Sequence, residues 1–171
     1  MKRFLLPFVT VLVLMGLIGC SGPQSDGDDL VVGKQPISKE LEGEQPPKAE
    51  IMIGERMYET KLGTYCWDSK NQSICADSIG PVELLIDENP VSVQPGEVIK
   101  FVMNYEPKPN KYHVEQIIEG KLTEVVVKEN SFHAPTQKGT YFYSYGVWWM
   151  DEHVENQSRG DAFYYFVLKV I

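Results

Sequence analysis

Histidine and cysteine are scarce in this chain, three of each among 171 residues, and the familiar catalytic signatures are missing. There is no Gly-x-Ser-x-Gly elbow, no His-Glu-x-x-His, no phosphate-cradling glycine-rich loop and no dinucleotide fingerprint. Together these absences argue against an enzyme and for no cofactor. Basic residues are also few: 16 Lys and Arg stand against 24 Asp and Glu, a net charge of −8. Nucleic-acid binding, which rests on neutralising phosphates with Lys and Arg, is disfavoured by that balance. No apolar stretch reaches the roughly 20 residues that a bilayer-spanning helix needs. Finally, no aromatic residue lies between Phe8 and Tyr58, so that stretch has little with which to build a core.

What is present begins at the first residues. Lys2 and Arg3 are followed by Phe4–Ile18, which carries no charge and is interrupted only by Pro7, Thr10 and Gly16. A basic start followed by an apolar run of this length is the pattern of an export signal. The run closes on Leu17-Ile18-Gly19-Cys20, which resembles the lipobox of bacterial lipoproteins. The resemblance implies that diacylglycerol is attached to the Cys20 thiol and that residues 1–19 are removed as a signal peptide. The protein is then expected on the extracytoplasmic face of the cell membrane, with the membrane itself as its first partner. Anchoring through two acyl chains is close to permanent, at about 0.8 kcal/mol per buried methylene. Loss of Lys2 and Arg3 with the signal leaves 14 basic and 24 acidic side chains, a net charge of −10. An additional electrostatic contact with anionic lipid is therefore not expected.

If Cys20 is acylated, Cys66 and Cys75 remain as an even pair in an oxidising compartment, and a disulfide between them is the expectation. Zinc would want two further Cys or His ligands close by, and no histidine lies between Thr60 and Asn110. A blue-copper site is also excluded, because both of these cysteines precede the first histidine, His113, whereas that centre places cysteine and its second histidine together near the C-terminus.

Residues 20–49 read as a lipidated N-terminus and disordered tether. Pro23, Pro36, Pro46 and Pro47 break residues 21–49, which carry 3 Lys against 6 Asp and Glu. Low hydrophobicity of this kind does not support a packed core. A coil of that length spans about 30 Å. Residues 50–171 hold every Tyr and Trp and read as one domain.

Within that domain period-2 alternation dominates. Ile99, Phe101, Met103 and Tyr105 share one face after the turn Gln94-Pro95-Gly96-Glu97. Tyr141, Tyr143 and Tyr145 share another, as do Ala162, Tyr164, Phe166, Leu168 and Val170. These are aromatic and β-branched strands bounded by turn residues. Residues 112–128 also fit a helical stripe, but Gly120 would sit in its interior at about 1 kcal/mol. Val125-Val126-Val127 and the turn Glu119-Gly120-Lys121 favour a hairpin. The pattern predicts an all-β fold, an immunoglobulin-like β-sandwich of about seven strands. Lys138-Gly139-Thr140-Tyr141 resembles the turn into the penultimate strand of immunoglobulin-like domains of bacterial surface proteins, where a tyrosine packs back on the preceding loop. Gly63-Thr64-Tyr65-Cys66-Trp67 with Cys75 and Gly80-Pro81 is similar to small lipoproteins of Bacillus-like bacteria, a resemblance that implies no particular activity.

Candidate sites are sparse. Trp148 and Trp149 are adjacent, so a strand points them to opposite faces. One belongs to the core, and the other, flanked by Tyr145, either forms a glycan- or peptide-binding surface or covers a sandwich edge. Asp151, Glu152, His153 and Glu155 are the densest group of possible metal ligands, but a solvated loop between the last two strands is the favoured reading, and no metal is expected. The function expected is a binding or accessory role in the cell envelope, with an envelope protein or glycan as ligand. The alternatives are a proteinase-inhibitor-like module, or a redox or metal-dependent enzyme using Cys66 and Cys75 or the Asp151–Glu155 cluster.

Overall fold

A computed structural model of the chain describes residues 40–70 and 72–171. The expected signal peptide, Cys20 and the tether up to residue 39 lie outside these residues. The described chain forms a short strand pair β1 (Ala49–Ile53) and β2 (Arg56–Glu59), the hairpin β3 (Lys61–Ser69) and β4 (Gln72–Ala76), and one helical turn α1 (Pro81–Leu85). Next come β5 (Val91–Val93), β6 (Val98–Met103), the pair β7 (Lys111–Ile118) and β8 (Lys121–Glu124), β9 (Ser131–His133), and the long strands β10 (Gly139–Met150) and β11 (Ser158–Val170).

These strands make two sheets, a smaller one in the order β2-β1-β6-β9 and a larger one in the order β4-β3-β11-β10-β7-β8. Strand β5 adds to the larger sheet by running parallel to the end of β11, with Val91 opposite Leu168. The sheets pack face to face as an immunoglobulin-like β-sandwich. Its described residues hold eleven strands where alternation predicts about seven, because β2, β4, β5, β8 and β9 have only 3–5 residues each, too few for a periodic signal.

Alternation explains the core. Ile51 and Ile53 of β1 and Ile99 and Phe101 of β6 face Tyr143, Tyr145, Val147 and Trp149 of β10 and Tyr164, Phe166 and Leu168 of β11, all buried. Phe101 stacks on Tyr145 at 3.9 Å between ring centroids, and Tyr143 on Phe166 at 4.8 Å. Burying so many tyrosines requires partners for their hydroxyls. Tyr143 donates to Gln116 Oε1 at 2.9 Å, and Tyr141 donates to the Gln137 carbonyl at 2.7 Å, the backward packing expected at the turn into this strand. Among the described residues no buried side-chain nitrogen or oxygen lacks a partner. Burial raises the Tyr145 pKa to about 12 and raises those of Tyr143 and Tyr164 as well, so these hydroxyls remain neutral.

Two turns follow their sequence. Glu119 and Gly120 both have positive φ, 49° and 75°, which is the two-residue turn that matches the twist of a hairpin, and residues 111–124 are a hairpin and not a helix. Cys66 and Cys75 are bonded, directly opposite each other on β3 and β4.

The tether needs correction at its C-terminal end. Leu41 is 2% exposed and bridges to Ser69 of β3. Glu42 exchanges two hydrogen bonds with the Tyr105 hydroxyl, and Trp67 Nε1 donates to the Gly43 carbonyl at 3.2 Å. The Tyr164 hydroxyl donates to the Pro47 carbonyl, and Ala49 already belongs to β1. Residues 41–49 are thus a strap packed on the sandwich. One apolar side chain among charged neighbours suffices because Gly160 leaves the space: a Cβ there would lie 2.7 Å from both Leu41 Cδ1 and the Trp67 ring.

Candidate ligand-binding groove

The solvent face of the smaller sheet carries an apolar row that begins with the β1–β2 turn. Ile51 and Ile53 point inward, so Met52 points outward. Gly54, with φ of 58°, lets the chain reverse within two residues, which sets Met57 directly opposite Met52. On its other side Met52 pairs with Lys100 of β6. The result is a cross-strand row Met57–Met52–Lys100, with Val102 two residues further along β6 on the same face.

Beyond Met103 the chain leaves the sheet, passes through a cis Glu106–Pro107 peptide and returns as β7. This connection forms the opposite wall with Lys108, Pro109 and Tyr112. Lys108 is drawn against β6 because its Nζ donates to the Met103 carbonyl at 2.6 Å. Between the two walls lies an open cavity of about 440 Å³, with the stacked pair Phe101 and Tyr145 at its base. Met57 and Tyr112 at the rim are 42% and 45% exposed, an apolar surface with no partner among the described residues. Concave apolar sites of several hundred Å³ with a few polar groups are the usual form of ligand sites. Methionine suits such a surface because its thioether is polarisable and its three torsions adapt to different shapes. The lining holds two lysines and no acidic side chain, in a chain of net charge −8. A second recess, of about 160 Å³ at Pro46, Pro47 and Tyr164, is smaller and includes Glu50 and Glu59.

Of the residues singled out from sequence, Tyr145 meets this groove, at its buried base. Tyr145 and Trp149 are both core residues, 4% and 3% exposed. They share the inward parity of β10, and Trp149 packs edge-on against Trp67 at 4.9 Å while its Nε1 donates to the Pro107 carbonyl. Trp148 has the outward parity and is half-buried on the outer face of the larger sheet. Its ring is engaged there, edge-on to Phe163 at 5.6 Å and with Lys111 Nζ 5.7 Å from its centroid. Gly146 makes room for the pair, since a Cβ would meet Phe163 at 2.8 Å and Trp148 at 2.9 Å. Further along the same face, α1 lays Leu85 over Tyr165 and Val167. Trp148 therefore covers part of the outer face of this sheet.

The acidic loop is closed on itself. Asp151 accepts hydrogen bonds from the backbone N–H groups of His153 and Val154 at 2.8 and 3.1 Å, and Arg159 Nε lies 2.7 Å from its other oxygen. These donors, the His153 N–H first, hold its carboxyl below the usual range. Glu152, His153 and Glu155 are exposed. The histidines sit on separate elements: His113 lies 3.4 Å from Glu115 and 3.6 Å from Glu124, and His133 Nδ1 lies 3.0 Å from the Gly96 carbonyl. Among the described residues no group of three His, Cys, Asp or Glu is placed to hold a metal ion.

The groove was invisible to residue-by-residue searching because none of its members carries chemistry. The available signal was Ile51-Met52-Ile53-Gly54-Glu55-Arg56-Met57-Tyr58, an alternating pair of strands around a turn, which places two methionines outward and opposite. No family model, curated protein or solved structure matches the chain.

Proposed function

We propose that this chain is an extracytoplasmic binding protein, anchored in the membrane by diacylglycerol on Cys20, whose Met52–Met57–Tyr112 groove captures an apolar segment carrying acidic residues from an envelope protein. The anchor is supported by Lys2, Arg3, the uncharged run Phe4–Ile18 and the lipobox Leu17–Cys20. The binding role is carried by one observation: an exposed, concave apolar surface whose lining holds lysines alone among charged side chains. An apolar patch favours burial at roughly 25 cal/mol per Å², and the ammonium of Lys100 selects the sign of the partner, Lys108 being already paired with Glu106 at 3.6 Å. A peptide fits better than a glycan, because the aromatic rings at the base are buried and stacked on each other and offer no free face to a sugar.

The test uses methyl-¹³C-methionine-labelled protein and an eight-residue peptide alternating Asp or Glu with Leu or Phe. The Met52, Met57 and Met103 methyl signals should shift with peptide concentration, while that of Met150 stays fixed. A peptide with Lys in place of the acids should bind at least tenfold more weakly. Shifts confined to Met150, on β10 of the larger sheet, would move the site there and refute the groove. The absence of shifts with either peptide would refute peptide capture.

A further inference from the structure

The Cys66–Cys75 disulfide stands apart from the groove and from the core. Cys75 lies on β4, the edge strand of the larger sheet, and is exposed, while Cys66 on β3 is partly covered. The two residues are directly opposite in an antiparallel ladder that also pairs Tyr65 with Ala76, Trp67 with Ile74, Asp68 with Ser73 and Ser69 with Gln72. That ladder holds the hairpin whether or not the sulfurs are joined. An exposed residue on an open sheet edge leaves a nucleophile a path to the disulfide that requires no unfolding of the sandwich. On the inner side of the hairpin, Asp161 of β11 pairs with Cys66 across the sheet and accepts its N–H at 3.3 Å, which sets a carboxylate at the residue whose thiolate would leave.

From this placement we infer that Cys66–Cys75 is a native-state thiol–disulfide exchange site, opened and closed by an extracytoplasmic dithiol while the sandwich stays folded. A thiolate of the dithiol attacks Cys75 Sγ, the bond to Cys66 breaks, and Cys66 leaves as a thiolate that takes a proton from water. The dithiol's second thiolate then attacks its own sulfur in the mixed disulfide and releases Cys75, which is protonated in turn. The protein gains two electrons and two protons, and the dithiol becomes a disulfide. Exchange rates of this kind depend on access to the attacked sulfur and on the stability of the leaving thiolate. Exposure of Cys75 promotes the reaction, and Asp161 restrains it by opposing negative charge at Cys66. Opening removes the only cross-link on β4 among the described residues, in the hairpin whose end contacts the strap through Gln72 and the Glu44 carbonyl.

The experiment treats the full chain with dithiothreitol under native conditions, quenches with iodoacetamide and quantifies alkylation at Cys66 and Cys75 by peptide mapping, with circular dichroism recorded in parallel. The expected result is alkylation at a rate proportional to dithiothreitol concentration, with the β-sheet spectrum unchanged. Asp161→Asn should accelerate it severalfold, because a negative charge that opposes the departing thiolate is removed from beside Cys66. A rate independent of dithiothreitol and equal to the rate of global unfolding would overturn the inference. Loss of the β-sheet signal in step with thiol appearance would overturn it as well. Should Asp161→Asn fail to fold, the rate law of the unsubstituted protein decides alone.

Discussion

Replacing Leu41 with Ala tests whether the strap is part of the fold. Leu41 is 2% exposed and lies in the slot above Gly160 and Trp67. The substitution removes three carbons, a transfer loss of about 2.4 kcal/mol at 0.8 kcal/mol per buried methylene, to which a cavity adds when the surroundings cannot collapse. Because Leu41 lies near the start of the packed chain, the strap can relax into part of that space, and about 2.5 kcal/mol is expected in total. A domain of about 130 residues unfolds with an entropy near 0.28 kcal/mol/K, so each kcal/mol moves Tm by about 3.6 °C. Leu41→Ala should therefore melt about 9 °C lower, with the transition followed by circular dichroism and by fluorescence, to which Trp67 responds. Leu122→Ala serves as the control: Leu122 is 56% exposed, and its loss should cost no more than about 0.5 kcal/mol. A Leu41→Ala shift within about 2 °C of the control would refute the packing of the strap. A chain beginning at Ala49 would then be as stable as the longer one, whereas the strap's hydrogen bonds to Trp67, Tyr105 and Tyr164 predict a loss larger than that of Leu41→Ala.

Gly160→Ala places a methyl within 2.7 Å of Leu41 and Trp67 and should cost about 1–3 kcal/mol by overpacking; chemical denaturation with an unchanged m-value checks it, and a neutral result would mean that the slot is wider than described. The Asp151 carboxyl is held below its ordinary range in the folded state, so the stability it contributes is fully present above that range and is lost as the pH falls through the lowered folded value. Carbon-detected NMR titration should place its midpoint below that of Asp151 in the urea-unfolded chain, and a higher midpoint would count against the loop closure by His153, Val154 and Arg159. Cys20→Ala should abolish incorporation of radiolabelled palmitate; label retained in that variant would rule out the lipobox reading.

Much of the sandwich was legible because its long strands carry their own period. The inward faces of β6, β10 and β11 follow directly from Ile99-Phe101, Tyr141-Tyr143-Tyr145 and Tyr164-Phe166-Leu168, and the positive φ of Glu119 and Gly120 is what the Glu-Gly turn predicts. Where the reading failed, a local signal was asked a tertiary question. Parity separates Trp148 from Trp149, but only the presence of Phe163, Lys111 and Gly146 on neighbouring strands shows that the outward ring is engaged. Average composition marks residues 21–49 as polar, and Leu41 is lost in that average because the slot receiving it is made by a glycine more than a hundred residues later. The groove needed the register of three strands and the path of the connection after Met103 before its methionines and lysines could be seen together.

The strap also has a mechanical consequence. A pull applied at residue 40 does not load a β-strand along its length. It meets Leu41, then the Glu42–Tyr105 pair, then the Trp67–Gly43 bond, then the Tyr164–Pro47 bond, one after another. Contacts strained in series yield singly and at low force, whereas the β1–β6 ladder behind them, five residue pairs from Ala49 to Ile53, resists as a group. Peeling residues 41–48 would release about 27 Å of extended chain before β1 bears any load. The segment that joins the sandwich to the rest of the chain is therefore a reserve of length released under tension, at the cost of Leu41's place in the core, while the β1–β6 ladder and the groove stay intact.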